Sequence, residues 1–199
     1  MLFRSNTVAG DIRYKDVSGP NGIPDGKIDQ NDRVLLGNNF PRYEYSLNAN
    51  LAWKGIDVGL FFQGVGKRDN YISGTGAWAF FVADFIPTAF AYHKDSWRPD
   101  NPNASYPRLT DGITNNQINS SYWVRDGSYL RLKNVTLGYT LPKGISEKLS
   151  LKSLRIYVSG QNLLTKSNYF PGFDPEGNNN NGEFYPVMKT YTVGLNVKF

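Results

Sequence analysis

From Arg42 to Trp53 the chain reads Arg-Tyr-Glu-Tyr-Ser-Leu-Asn-Ala-Asn-Leu-Ala-Trp, with every odd position apolar or aromatic and every even one polar as far as Asn50. A period of two is the signature of a strand with one greasy and one wet face, because successive side chains leave a strand on opposite sides. Lys54-Gly55 suits a two-residue hairpin turn, after which Ile56, Val58, Leu60 and Phe62 resume the apolar face opposite Asp57, Gly59 and Gln63. These segments predict one hairpin.

Three further runs carry the same period. Val135, Leu137, Tyr139 and Leu141 alternate with Thr136, Gly138 and Thr140; Leu154 to Gln161 alternates again; and Tyr191, Val193, Leu195, Val197 and Phe199 share one face of the last run. Leu130 and Leu132 have the parity opposite to that of Val135. Either a β-bulge near Lys133-Asn134 resets the register, or the upper part of this strand projects beyond the apolar zone. The connections alternate in size. Short ones follow Trp53 and join 142 to 152, whereas long ones cover 1–41, 66–122 and 164–185. Short turns at one end, long loops at the other and strands of about 9 to 11 residues are the pattern of a membrane barrel. The expected fold is therefore all-β: an antiparallel membrane β-barrel segment of about five strands from a larger barrel, with an extracellular loop at 1–41 and barrel strands within 42–199.

Composition agrees and excludes much. The 13 Tyr, 12 Phe, 4 Trp and 20 Gly favour strands and loops over helices. With no cysteine and a single histidine, thiolate zinc sites, Cys-His nucleophiles and multi-histidine metal centres are ruled out. The net charge of +5 is spread along the chain and forms no dense basic stripe, so nucleic acid is not an expected partner. There is no run of about 18 apolar residues for a transmembrane helix. Met1 to Asn6 lack a signal peptide's apolar core, so an export signal is expected upstream. A soluble secreted carbohydrate-binding β-sandwich is the alternative, since its strands alternate too. It would hide its aromatics inside, whereas Tyr43, Tyr45 and Trp53 stand at strand ends, where interfacial aromatics gather.

Several stretches, in order along nearly the whole chain, resemble the carboxy-terminal barrel region of the SusC/RagA family of TonB-dependent transporters. They are Gly10–Val17, Asp25–Arg33, Phe61–Gly66, Trp97–Ala104, Gly127–Tyr139, Tyr157–Asn162 and Phe173–Glu176. The resemblance implies an importer of oligosaccharides or peptides in the outer membrane of a Gram-negative bacterium. Such a protein has a roughly 22-stranded barrel, an amino-terminal plug contacted by the TonB complex, and a SusD-like surface lipoprotein as lid. The plug and most of the barrel are not among these residues. Five strands cannot close a barrel, since even small ones need about eight, and the fragment alone is expected to need detergent and to transport nothing.

Candidate sites follow from residue types. Asp16, Asp25, Asp29 and Asp32 lie in a stretch similar to an oxygen-rich calcium loop, although Ser18 to Pro24 insert extra residues into its first half. Trp78, Trp97 and Tyr106, among Asn, Gly and Pro, offer flat faces to sugar rings. Gly194, Val197 and Phe199 resemble the terminal signal read by the barrel-assembly machinery, which an alternating strand with an open edge can supply by β-augmentation. A helix is expected over 83–94, with Pro87 in its first turn. No enzyme is expected. Carboxylates such as Asp95 and Asp100, or Asp174 and Glu176, are expected to be solvated, while Arg42, Glu44, Asn48, Asn50, Asp57, Arg155, Gln161, Asn196 and Lys198 wet the channel wall.

Overall fold

The structure is a computed structural model and describes residues 7–81, 88–177, 181–185 and 187–199. Among them seven strands form: β1 (Tyr43–Trp53), β2 (Ile56–Gly66), β3 (Asp69–Tyr71), β4 (Val124–Asp126), β5 (Tyr129–Thr140), β6 (Ser153–Ser167) and β7 (Thr190–Lys198). Five of them make one antiparallel sheet in the order β1-β2-β5-β6-β7, and β3 pairs with β4 beside it. Each neighbour in the large sheet is the next long strand in sequence. The long β2–β5 connection leaves room for the β3–β4 ribbon.

The hairpin at Lys54-Gly55 is the one that the sequence demands. Both residues have positive φ, 48° and 86°, which is the geometry of the turn whose twist matches paired strands. Tyr43 then pairs with Gly66 and Trp53 with Ile56, so the odd positions of β1 share a face with the even positions of β2. That face continues through Leu137 and Tyr139 of β5, Ile156 and Val158 of β6, and Tyr191, Val193, Leu195 and Val197 of β7. Among the described residues no second sheet covers it: Leu47 is 61% exposed, Leu51 71% and Val193 76%. The sandwich alternative fails here, because its strands would have to bury these residues against a facing sheet.

A bulge resets the parity of β5. Phe61 pairs with Asn134 but Phe62 pairs with Leu132, leaving Lys133 as an extra residue against β2. On the other side Leu132 meets Leu164 and Asn134 meets Gln161, so β6 carries the extra residue, with Asn162 in the left-handed region at φ 53°. The bulge keeps Leu130 and Leu132 on the outer face and turns Arg131 inward together with Asn134 and Thr136.

The inner wall is polar and partly internally paired. Arg155 of β6 reaches Asp57 of β2 across β5, its Nε donating to Oδ1 at 2.8 Å, and a second hydrogen bond runs from Nη2 to Oδ2. The ion pair crosses over Gly138, where a Cβ would lie 2.4 Å from the guanidinium and 2.5 Å from the carboxylate. Gly138→Val is therefore expected to part the two and to lower the barrel's resistance to thermal unfolding in detergent. Gly144→Ala, at a site where nothing lies within 4 Å, should leave it unchanged.

All short connections lie at one end of the sheet. The 54–55 turn, the 141–152 connection with its one-and-a-half-turn helix α1 (Lys143–Lys148), and the end of β7 share that end. The segments before β1, between β2 and β5, and between β6 and β7 stand at the other. The hydrophobic core sits there: Ile72, Ala77, Tyr106, Trp123, Tyr169 and Phe170 are buried together, and none belongs to the large sheet. The molecule thus has a wall without a core and a cap that has one.

Candidate functional site

The cap is built by long-range pairing of loops. Ile72 N–H donates to the Trp123 carbonyl at 2.9 Å, extending the β3–β4 ribbon, and the Trp123 indole donates to the Asn116 carbonyl at 2.7 Å. Tyr106 lies among Tyr92, His93, Trp123 and Phe170, with ring centroids between 5.0 and 6.2 Å. Edge-on and offset-stacked aromatic contacts such as these stabilise beyond the area they bury, by about 0.5–1.5 kcal/mol each. A buried Tyr hydroxyl stays protonated, and burial raises Tyr106 far above the ordinary phenol value and Tyr122 to about 12. Both remain donors under any physiological condition.

Beside this cluster runs a groove of about 1310 Å³. The extended 10–15 segment and the 28–36 segment form its walls, while Trp97, Tyr106, Ser120 and Tyr122 line it from the later loop. The first wall is anchored by two contacts. Asp11, with a side chain 1% exposed, accepts from Arg108 Nε at 2.6 Å, and Ile12 N–H donates to the Asn116 carboxamide at 2.8 Å. Gly10 lies against the Trp97 ring, where a Cβ would meet it at 2.3 Å and where φ is 86°. Only glycine fits that approach. Two buried hydroxyls on the lining, Tyr106 and Ser120, have no hydrogen-bond partner among the described residues. Such groups cost about 1–3 kcal/mol each when left unpaired in the interior.

Of the three aromatic candidates, the groove brings together Trp97 and Tyr106. Trp78 stands behind, edge-on to Trp123 at 6.2 Å and to Phe81 at 4.8 Å, and packs the cap. The 83–94 helix does not form over its described part. A short 3-10 turn, Ala91–Asp95, takes its place, with His93 closing its first turn, and 82–87 lie outside the described residues.

The four aspartates of the 16–32 loop all accept from backbone N–H groups. Asp32 accepts from the N–H groups of Val17 at 2.7 Å, Ser18 at 3.2 Å and Asp29 at 2.8 Å. Asp16 accepts from Gly26, Asp25 from Lys27 and Asp29 from Asn31. The backbone N–H groups of Asp29 and Val17 hold the Asp32 carboxyl below the usual range. Among the described residues no three His, Asp or Glu side chains are grouped to hold a metal ion. Gly194 has a packing role in the sheet, since the Tyr157 ring lies over it at 2.4 Å from a would-be Cβ. Val197 and Phe199 are 41% and 81% exposed on or beyond the outer face.

Sequence reasoning missed the best-anchored polar cluster. Asp174 and Glu176 are not solvated: Arg131, 2% exposed, donates through Nη2 to both oxygens of Asp174 at 2.7 Å and through Nη1 to Glu176 at 2.6 Å. Lys133, the bulged residue, donates to Glu176 at 2.5 Å, and Arg131 Nε donates to Thr165 at 2.8 Å. The 168–177 loop is thereby tied down onto the inner wall just above the bulge. A parity break that placed two cations on one face was the available signal. Asp95 likewise holds structure, accepting from Ser105 N–H and Asn101, whereas the Arg98–Asp100 pair is exposed.

No family model matches the chain. Relatives do. TonB-dependent receptor P3 of Formosa agariphila is 39% identical over 192 residues, covering 87% of this chain and 18% of that protein. TonB-dependent receptor P26 of the same organism is 35% identical, covering 98% and 20%. TonB-dependent receptor SusC of Bacteroides thetaiotaomicron is 23% identical, covering 94% and 19%. Among solved structures the RagAB peptide transporter superposes with a TM-score of 0.71 at 22% identity, over 96% of this chain and 21% of that one. The RagAB peptide importer in its open-open state gives 0.67. The chain spans about a fifth of the length of the proteins it matches.

Proposed function

This chain belongs to the SusC/RagA family of TonB-dependent receptors, and on that premise we propose that it forms one sector of an outer-membrane importer of oligosaccharides or peptides. The observation that carries the reading is the division of the molecule into a core-free sheet with an unbroken apolar outer face and a polar inner one, and a packed loop cap at one end only. A bilayer supplies the missing cover for that outer face, as its hydrocarbon does for any membrane barrel. The cap then stands at the cell surface, where a SusD-like lipoprotein would close over it. Energy would come from the TonB complex through a plug contributed by other parts of the receptor.

The groove beside Tyr106 is the cargo contact of this sector. Trp97 and Tyr122 would supply apolar surface at its edge. The test is binding of fluorescent oligosaccharide and oligopeptide pools to the receptor in detergent. Trp97→Leu and Tyr122→Leu each replace a flat ring by an aliphatic side chain and should each weaken capture by about 2- to 10-fold, the worth of an aromatic contact beyond its area. Affinities unchanged in both variants would place cargo binding elsewhere.

A further inference from the structure

His93 is the only histidine of the chain, is 1% exposed, and has both ring nitrogens engaged by backbone groups whose roles cannot be exchanged. Nδ1 receives the Phe90 N–H at 2.9 Å, and a backbone N–H can only donate. Nε2 stands 3.1 Å from the Ala77 carbonyl, which can only accept. The partners therefore dictate a neutral imidazole with its proton on Nε2. We propose that His93 is an acid-sensitive latch: its neutral ring accepts the Phe90 N–H and so holds the 90–95 turn closed, and protonation removes that acceptor and opens the turn.

A second ring proton would sit on Nδ1, facing the Phe90 N–H, so two donors would oppose each other in a site closed to water. Nothing nearby compensates. On its own turn the ring lies edge-on to Tyr92 at 4.5 Å, and Lys94 and Asp95 follow it, with the Asp95 carboxylate already occupied by Ser105 and Asn101. From the 104–110 segment come Tyr106, edge-on at 5.0 Å, and Arg108, which borders the same small cavity and is paired with Asp11. The segment from Gly76 to Phe80 brings no titratable group, and no carboxylate lines that cavity. Burial pushes the imidazole below its usual value, while the Ala77 carbonyl opposes this less strongly. The sign follows: the unfolded segment takes up the proton first, so stability is full above the ordinary histidine value and falls as pH drops below it, levelling once the folded pKa is passed. Since Tyr106 both touches His93 and lines the groove, release would reach the groove wall. The latch concerns the loop's own fold and stands whether or not the groove holds cargo.

The experiment is hydrogen exchange by mass spectrometry on the whole receptor in detergent, following peptides within 77–95 from pH 7.5 to 4.5 after correction for intrinsic rates. Protection should fall by about tenfold per pH unit through the transition, starting below the ordinary histidine value. His93→Gln, which cannot titrate, should give a flat profile, and His93→Asn, whose side-chain carbonyl can accept the Phe90 N–H where Nδ1 does, should give a flat and protected one. A flat wild-type profile, or the same step in His93→Gln, overturns the proposal. If His93→Gln is open at every pH, the second variant decides: a pH step in His93→Asn, or the same openness, overturns the latch as well.

Discussion

Replacing Arg131 by Met is expected to detach the 168–177 loop from the wall. Three partners lose Arg131 as a donor at once, Asp174, Glu176 and Thr165, while Lys133 still holds Glu176. The Asp174 side chain is 14% exposed, so its carboxylate regains only part of its hydration. Breaking a buried ion pair from one side costs about 3–5 kcal/mol, and this access to water places the expected loss at the lower end, near 3 kcal/mol. The readout is amide exchange in 168–177 and in the upper part of β5, which should speed up by about a hundredfold. Lys133→Met removes a donor from Glu176 alone and leaves Arg131 in place, so its effect should be several-fold smaller. Arg131→Lys should not rescue, because one ammonium cannot span two carboxylates and a hydroxyl as a planar guanidinium does.

The second large effect separates the two faces of β1. Leu47→Arg puts a guanidinium on the outer face near the middle of an 11-residue strand, where hydrocarbon is deepest. The cost there is about 2–4 kcal/mol for a cation at the bilayer midplane. Asn48→Arg, one residue on, enters the polar inner wall and should cost little. Folding into vesicles, followed by urea titration, should show the first variant strongly destabilised and the second close to the parent. Equal costs at the two positions would deny that the faces have different solvents.

Much of this architecture was legible because a single physical rule governs it. Period-2 alternation assigned β1, the Lys54-Gly55 turn, β2 and β7 almost to the residue. The same rule fell silent where the backbone departs from the pleat. Of the two accounts offered for Leu130 and Leu132, the bulge is the one that forms, and on the partner side Asn162 and Leu163 break alternation, so β6 runs to Ser167 rather than stopping at Gln161. The three-residue strands β3 and β4 had no pattern long enough to read. They exist because loop segments about 55 residues apart in sequence find each other in the cap. The candidate site was legible in its composition but not in its assembly. Trp97 and Tyr106 were marked by residue type, yet which aromatics pack and which line a groove is settled by Gly10 lying on Trp97 and by Trp123 holding Trp78 from behind. The Arg131 cluster depends on carboxylates more than 40 residues away, so the parity break marks its two cations but not their partners.

The most direct test of the central claim is a spin-label scan of residues 43–53 in the receptor reconstituted into lipid, reading collision with oxygen against collision with a water-soluble nickel chelate. A membrane wall predicts oxygen maxima at 45, 47, 49 and 51 and chelate maxima at 44, 46, 48 and 50, a clean period of two with its apolar phase on the exposed leucines. Uniform chelate access along the strand, or the opposite phase, would contradict it.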